Sequence, residues 1–253
     1  MTLKEFFEAN PKAALAFSGG TDSAYLLWAA KEAGAEVQPY FIRSAFQPRF
    51  ELADAERLCA QLGLTLRVLD CDVLAQPEIA ANPPERCYYC KRALFTRLLA
   101  AAAEEGYSLV LDGTNASDPE DDRPGMRALR ELGVRSPLRE AGLSKTEVRR
   151  LSAQAGLFTA DKPSYACLAT RIPSGTVITP AMLETVEQAE GLLAGLGYRN
   201  FRVRLRDWGA LLQFDAEQLV QAEQDMEHIR SLLGKEFQEL RIDPVPRKRV
   251  CDE

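Results

Sequence analysis

The chain has 253 residues, 46% hydrophobic and 27% charged, the balance of a globular protein with room for one large core and a smaller second domain. A net charge of −6 argues against a protein that works by coating nucleic acid, and no apolar run approaches the ~18 residues of a membrane span. The opening "MTLKEFFEANPK" carries acidic residues and lacks the apolar core of a secretory signal, so a cytoplasmic protein is expected.

Apolar runs and amphipathic stretches alternate through the first half. "AALAF" (13–17) reads as a buried strand and 24–33 as a helix; "VQPYFI" (37–42) is the next strand, followed by a helix over 50–62. The strand "LRVLD" (66–70), a helix over 92–105 and the strand "SLVLDGT" (108–114) follow. This rhythm predicts an α/β fold, a mostly parallel sheet with helices on both faces. "LSKTEVRRLSAQAG" adds a helix with a capping box from Ser144 to Glu147 and a terminating Gly156. The Pro/Gly/Thr-rich "PSGTVITP" (173–180) reads as a junction between domains 1–172 and 173–253. Beyond it lie a helix (181–196), strands in "FRVRLR" and "ALLQF", a helix (216–233) and a strand near "FQELRI", a small α+β domain.

"AFSGGTDSAYLL" is the most informative segment. A buried strand runs into Ser18, Gly19, Gly20, Thr21, Asp22 and Ser23, and a helix begins at once. Paired glycines let backbone N–H groups approach a ligand closely, and the helix start offers unpaired N–H groups and a positive dipole end. Ser18 and Ser23 can donate hydroxyls, and Asp22 can hold a magnesium ion. The segment thus suits a polyphosphate with its metal. It is neither a Walker P-loop nor G-x-G-x-x-G, and a bare S-G-G would equally be a capped glycine turn.

Six cysteines are present. Cys87 and Cys90 form a C-x-x-C in "ERCYYCKRALF", directly before a helical stretch; by spacing alone this could be a disulfide, a redox pair, half a zinc site or part of an iron–sulfur site. Zinc would want a fourth protein ligand, and the only histidine, His228, falls on an amphipathic helix and reads as a surface or half-buried residue. Cys59 and Cys71 read as structural, and Cys251 as uninvolved. Cys167 lies in the loop "KPSYACLATRIPSG". In "FRVRLR", alternation puts Arg202, Arg204 and Arg206 on one strand face, which is either a solvated basic face or an anion site.

The S-G-G-x-D-S turn, placed between the first strand and first helix, resembles the PP-loop ATP pyrophosphatases, with their adenine nucleotide alpha hydrolase-like fold. Members cleave ATP between its α and β phosphates and transfer AMP to a carbonyl or carboxyl oxygen. The resemblance implies that Ser18, Gly19, Gly20, Asp22 and Ser23 bind pyrophosphate and magnesium. It further implies that Gly113, Thr114 and Asn115 in "LDGTNASD" close over the nucleotide and that Lys145 of "LSKTEVR" faces the phosphates. The alternative for Lys145 is a solvated helix residue.

Together, "ERCYYCK", "GTNASD…RPGMRALRELGVRSPL" and "KPSYACLATRIPSG" closely resemble the LarE family, ATP-dependent sulfur transferases that mature the nickel-pincer cofactor of lactate racemase. The resemblance covers nearly the whole chain. It implies that ATP adenylates a carboxylate of a pyridinium dicarboxylate mononucleotide and that sulfur displaces AMP to leave a thiocarboxylate. Some members spend the sulfur of one cysteine, matching Cys167. The three-cysteine variety, matching Cys87, Cys90 and Cys167, implies a four-iron–four-sulfur cluster with one iron open. By the same likeness Arg202 and Arg204 bind the substrate phosphate, Glu190 is an active-site acid, Tyr88 either stacks on the pyridinium or merely packs, and the protein is a homo-oligomer, a hexamer among the options. From Asp207 on the likeness fades. The nearest enzyme alternative is a PP-loop tRNA thiolase with a three-cysteine cluster. An amidotransferase-type synthetase would need no such cysteines, and a pure nucleotide-binding or iron–sulfur storage module would not release pyrophosphate.

Overall fold

The computed structural model describes residues 1–118 and 124–247, so Cys251 and most of the basic tail lie outside the described residues. The described residues form two compact units, Met1–Ile79 with 84–118 and 124–162, and Ala80–Pro83 with 163–247.

The first unit begins with α1 (Leu3–Ala9), which sequence patterning did not single out although Thr2 and Glu5 cap it reciprocally. It continues through β1 (Lys12–Ala16), α2 (Thr21–Glu32), β2 (Glu36–Arg43), α3 (Arg49–Leu62), β3 (Arg67–Asp70), the turn α4 (Pro77–Ala80) and α5 (Arg86–Glu104). After these come β4 (Val110–Leu111), α6 (Pro124–Glu131), α7 (Pro137–Glu140) and α8 (Lys145–Gln154). The strands pair in parallel in the order β3-β2-β1-β4. Strand periodicity explains the layering: Ala13 and Leu15 of β1, Val37 and Phe41 of β2 and Leu111 of β4 enter one apolar cluster with α1, α2 and α3. The alternate residues turn to the other face, where α5 packs against β1 and β2. The α/β sheet with helices on both faces, expected from the sequence, is therefore present.

Two boundaries differ usefully from the sequence reading. The helix expected from residue 92 starts at Arg86, two residues past Pro84, so Cys87 and Cys90 sit inside its first turns rather than before it. The strand expected over 108–114 is only Val110–Leu111. From Asp112 the backbone leaves the sheet: the Asp112 carboxylate binds Ser136 Oγ (2.6 Å) and Thr114, which curls the chain toward α2.

In the second unit, a single 3₁₀ turn (Leu168–Arg171) is followed by α9 (Pro180–Gly195), β5 (Arg202–Arg206), β6 (Gly209–Gln213), α10 (Leu219–Gln224), α11 (Met226–Leu233) and β7 (Leu240–Ile242). β6 pairs antiparallel with β5 and parallel with β7. The single helix expected over 216–233 is two, meeting at Asp225, whose carboxylate accepts from Tyr198 (2.7 Å). The junction also differs from the expected residue 173. "PSGTVITP" has linker composition, but Gly175 and Ile178 donate backbone hydrogen bonds to Asn82 and Ala80, which ties it and Ala80–Pro83 into the second unit. Among the described residues no helix is long and apolar enough to cross a membrane.

Candidate active site

In the first unit the strand-to-helix turn is built by close approach. Gly19 has φ +68°, and a Cβ there would stand 2.9 Å from the Glu51 carbonyl oxygen and 3.0 Å from the Ala55 nitrogen of α3. Gly113 comes as near to α2, its notional Cβ 2.9 Å from the Ser23 nitrogen. Gly19→Ala should therefore cost about 2 kcal/mol, read as a lowered denaturation midpoint, because the left-handed backbone and the α3 contact both resist a methyl group.

Gly20 is the N-cap of α2 and no side chain caps it, so the first-turn N–H groups stay available to an anion. Ser18 and Ser23 hydroxyls lie 3.2 Å apart at the same point. Asp22 is held from two sides: Lys145 Nζ is 2.5 Å from one carboxylate oxygen and Asn115 Nδ2 donates to the other at 3.2 Å. Lys145 is buried rather than solvated, and its backbone N–H donates to Ser117 Oγ at the capped start of α8. Asn115 is itself fixed, its side-chain oxygen accepting from the Ser117 N–H (2.8 Å). The structure thus brings Ser18, Gly19, Gly20, Asp22, Ser23, Gly113, Asn115 and Lys145 into one constellation, with Thr114 beside it on Asp112.

Beside them opens a cavity of about 550 Å³, within the size range of small-molecule sites. Its polar wall includes Ser18, Asp22 and Thr114; Phe41, Leu94 and Met126 make its apolar side. Cys87 and Lys91 also line it, one turn apart on α5. The Cys87 thiol is exposed, with Arg86 Nη2 at 3.7 Å, and Cys90, three residues on and so on the same helix face, is half-buried. Cys59 contrasts with both: it is buried in the core and its thiol is pushed up to about 12 by burial. Tyr88 packs elsewhere, with Arg127 at 4.0 Å over its ring and its hydroxyl donating to Glu131 (2.6 Å), both on α6.

Two residues of this site escaped the sequence reading. Asp112 shapes the loop after β4, as above. Lys162 donates to the Gly19 carbonyl (3.1 Å) and pairs with Asp54 of α3 at 2.6 Å, while Thr21 Oγ1 donates to the Thr159 carbonyl (2.8 Å). The 159–162 segment therefore clasps the glycine turn from 138 and 143 residues away in sequence, a distance that no local pattern reports. On the ATP-binding role that the PP-loop resemblance implies for this turn, Lys162→Met should raise the KM for ATP about tenfold in steady-state assays, with Lys162→Arg recovering part of the loss.

In the second unit Cys167 is half-buried at the start of the 3₁₀ turn, and an ion pair anchors its loop. Arg171, fully buried, donates from Nε (2.9 Å) and Nη2 (3.0 Å) to the two oxygens of Glu190. Its Nη1 donates to the carbonyls of Ala166 (2.7 Å) and Cys167 (3.3 Å). Glu190 also accepts from the Val203 N–H (2.9 Å) and the Tyr165 hydroxyl. Glu190 is thus the hub joining α9, β5 and the Cys167 loop; nothing in its sequence neighbourhood signalled Arg171 as its partner. Burial, reinforced by Glu190, raises the Tyr165 hydroxyl well above its ordinary value.

Arg202 and Arg204 do not form a solvated face. Arg202 is buried and donates to the carbonyls of Ser164 and Phe201 (both 2.6 Å); Arg204 donates to Gln213 Oε1 (2.5 Å) and the Thr170 carbonyl (2.8 Å). Burial, and then the neighbouring Arg171 and Arg247, bring the Arg202 guanidinium down to about 9; burial likewise lowers Arg204.

The sequence model of the queuosine biosynthesis protein QueC family matches residues 12–82, the stretch carrying β1, the glycine turn, α2, β2, α3 and β3. The uncharacterized protein slr1717 of Synechocystis sp. is 38% identical over 88% of this chain and 84% of its own length. The uncharacterized protein MJ0830 of Methanocaldococcus jannaschii is 31% identical over 85% of this chain and 81% of its own. The pyridinium-3,5-bisthiocarboxylic acid mononucleotide synthase of Lactiplantibacillus plantarum is 35% identical over 76% of this chain and 71% of that enzyme. That synthase is the LarE protein; with 35% identity over 76% of this chain beside the QueC-like match at 12–82, the chain belongs to the LarE family.

Proposed function

We propose that the protein is an ATP-dependent sulfur transferase that converts a carboxylate of a pyridinium dicarboxylate mononucleotide into a thiocarboxylate. The observation that carries the first half-reaction is the Asp22–Lys145–Asn115 constellation at the uncapped start of α2. Relatedness to the Lactiplantibacillus synthase supports the substrate class.

The residues fit magnesium–ATP. Asp22 is the carboxylate suited to hold the ion, which would draw charge from the pyrophosphate leaving group. Lys145 pairs with Asp22, so if Asp22 held a magnesium ion the Lys145 ammonium would be left to bind the phosphates. The first-turn N–H groups of α2 and the Ser18 and Ser23 hydroxyls receive the remaining phosphate oxygens. A substrate carboxylate oxygen attacks the α-phosphorus, the bond to the bridging oxygen breaks and pyrophosphate departs with its electron pair. A sulfur nucleophile then adds to the acyl carbon, and AMP leaves on the carboxylate oxygen. Adenylation is needed because a bare carboxylate repels a thiolate and offers no leaving group.

For the sulfur source, we favour an iron–sulfur cluster on Cys87, Cys90 and Cys167. Cys87 and Cys90, three residues apart on α5, would supply two iron ligands and Cys167 a third; among the described residues no three His, Cys, Asp or Glu side chains gather into a metal site. When bound, such a cluster would supply a transferable sulfide. The expected result is an unchanged intact mass after several turnovers; loss of hydrogen sulfide at Cys167 would show that cysteine to be spent instead. Adenylation is tested by ATP–pyrophosphate exchange: it should require the pyridinium dicarboxylate mononucleotide. Exchange without it, or supported by tRNA in its place, would contradict the proposal and favour a thiolase.

A further inference from the structure

The polar face of the small sheet carries more guanidinium groups than carboxylates available to neutralise them. The β5–β6 register sets Arg202 opposite Gln213 and Arg204 opposite Leu211, so these share one face, while Val203, Leu212 and Phe214 turn into the core. Two residues past Gln213, Asp215 bridges Arg247 in parallel register, and the Arg247 N–H donates to the Phe214 carbonyl (2.8 Å). Arg247 therefore stands on that same face, across β6 from Arg202.

The acceptors nearby are engaged. Glu190 is filled by Arg171, Tyr165 and Val203. Asp215 accepts from Asn200 and the Gln218 N–H, and Asp243 from Gln213 and the Val245 N–H. Arg202 and Arg204 donate to neutral carbonyls and an amide, which orient them without cancelling their charge. Among the described residues, Arg247 Nε is buried with no hydrogen-bond partner at all. Burial and then the cations Arg171 and Arg204 push the Arg247 guanidinium below its ordinary value, and Arg247 in turn lowers Arg202. Converging guanidiniums with a free buried donor form a site that is unfavourable empty and favourable with an anion in it.

We propose that Arg247 is a third guanidinium ligand, beside Arg202 and Arg204, for a phosphate monoester dianion on this face. It rests on the reading of the substrate as a mononucleotide whose phosphate meets Arg202 and Arg204. Three terminal oxygens give three forks one acceptor each, which two arginines already committed to backbone carbonyls would leave short.

The test compares wild type, Arg247→Met, Arg247→Lys and Arg202→Met. Thermal shift is read against inorganic phosphate at constant ionic strength, and steady-state kinetics against the mononucleotide and against ATP. The expected result is that phosphate stabilises wild type and that Arg247→Met loses most of that shift. Without phosphate, Arg247→Met should melt at the wild-type temperature or above, since removing it relieves repulsion, whereas loss of a structural residue would lower it. Its KM for the mononucleotide should rise about tenfold with the KM for ATP within twofold, and Arg247→Lys should fall between. If Arg247→Met keeps the phosphate shift and the mononucleotide KM while Arg202→Met loses both, Arg247 is no ligand though the substrate reading stands. If neither variant changes them, the phosphate site itself is misplaced. A lowered phosphate-free melting temperature with both KM values raised would assign Arg247 a structural role and overturn the inference.

Discussion

Asp22→Asn should lower the rate of mononucleotide-dependent pyrophosphate release by at least about 100-fold, the scale lost when one electrostatic stabiliser of a developing charge is removed. Folding should be nearly unaffected, within about 1 kcal/mol, because the amide oxygen still accepts from Lys145 and the site is partly open. Lys145→Met should cost a similar factor. The two losses should not multiply: Asp22 and Lys145 form one ion pair and would share one charge balance with magnesium and phosphate, so the double variant should be little worse than the poorer single. Rapid-quench measurement of AMP and pyrophosphate formation checks both numbers. Independent, multiplying effects would mean that the two residues do not act as a unit.

The largest stability effect belongs to the second unit. Arg171→Met strands the Glu190 carboxylate, only 5% exposed, and removes the donor that holds the carbonyls of Ala166 and Cys167. Breaking a buried pair on one side costs about 3–5 kcal/mol, so a melting temperature lower by roughly 10 °C is expected from calorimetry. Glu190→Gln should cost less, since an amide can still accept from Arg171 and Val203 and carries no stranded charge. The double variant Arg171→Met/Glu190→Gln should be less destabilised than the two single losses added together. Because the same ion pair fixes the Cys167 loop, amide hydrogen exchange at Ala166 through Arg171 should rise in Arg171→Met ahead of global unfolding. An unchanged exchange rate there would show that the loop is held by other contacts.

Much of the first unit is legible in the sequence because its signals are local. A run of small apolar residues ending in S-G-G-x-D-S can only be a strand feeding a helix through a tight turn, and the structure places Gly19 where α3 admits no side chain. The capping box at Ser144 and Glu147 likewise needs four residues to be read and is found as expected. Legibility fails where the partner is distant or the composition misleads. Tyr88-Tyr89-Cys90 carries strand-like residues, yet Pro84 and the packing of α5 on α6 draw it into a helix, which sets both cysteines on one accessible face. Lys162 and Arg171 stand in a loop whose composition reports only irregular structure; their partners, Gly19 with Asp54 and Glu190, are fixed by the fold. The arginines of "FRVRLR" were legible as a face but not as a buried one, because the segments that cover Arg202 and Arg204, residues 164 and 170, come from a loop far upstream.

The central claim is that a carboxylate activated by ATP at the glycine turn is exchanged for a thiocarboxylate. It is tested most directly by mass spectrometry of the small molecules after anaerobic incubation of the protein with magnesium–ATP and the pyridinium dicarboxylate mononucleotide. The expected result is a mononucleotide in which sulfur has replaced a carboxylate oxygen, accompanied by AMP and pyrophosphate in equal amounts and absent with Asp22→Asn. Formation of ADP and phosphate, or AMP and pyrophosphate with no sulfur-bearing product from fully sulfur-loaded protein, would contradict it.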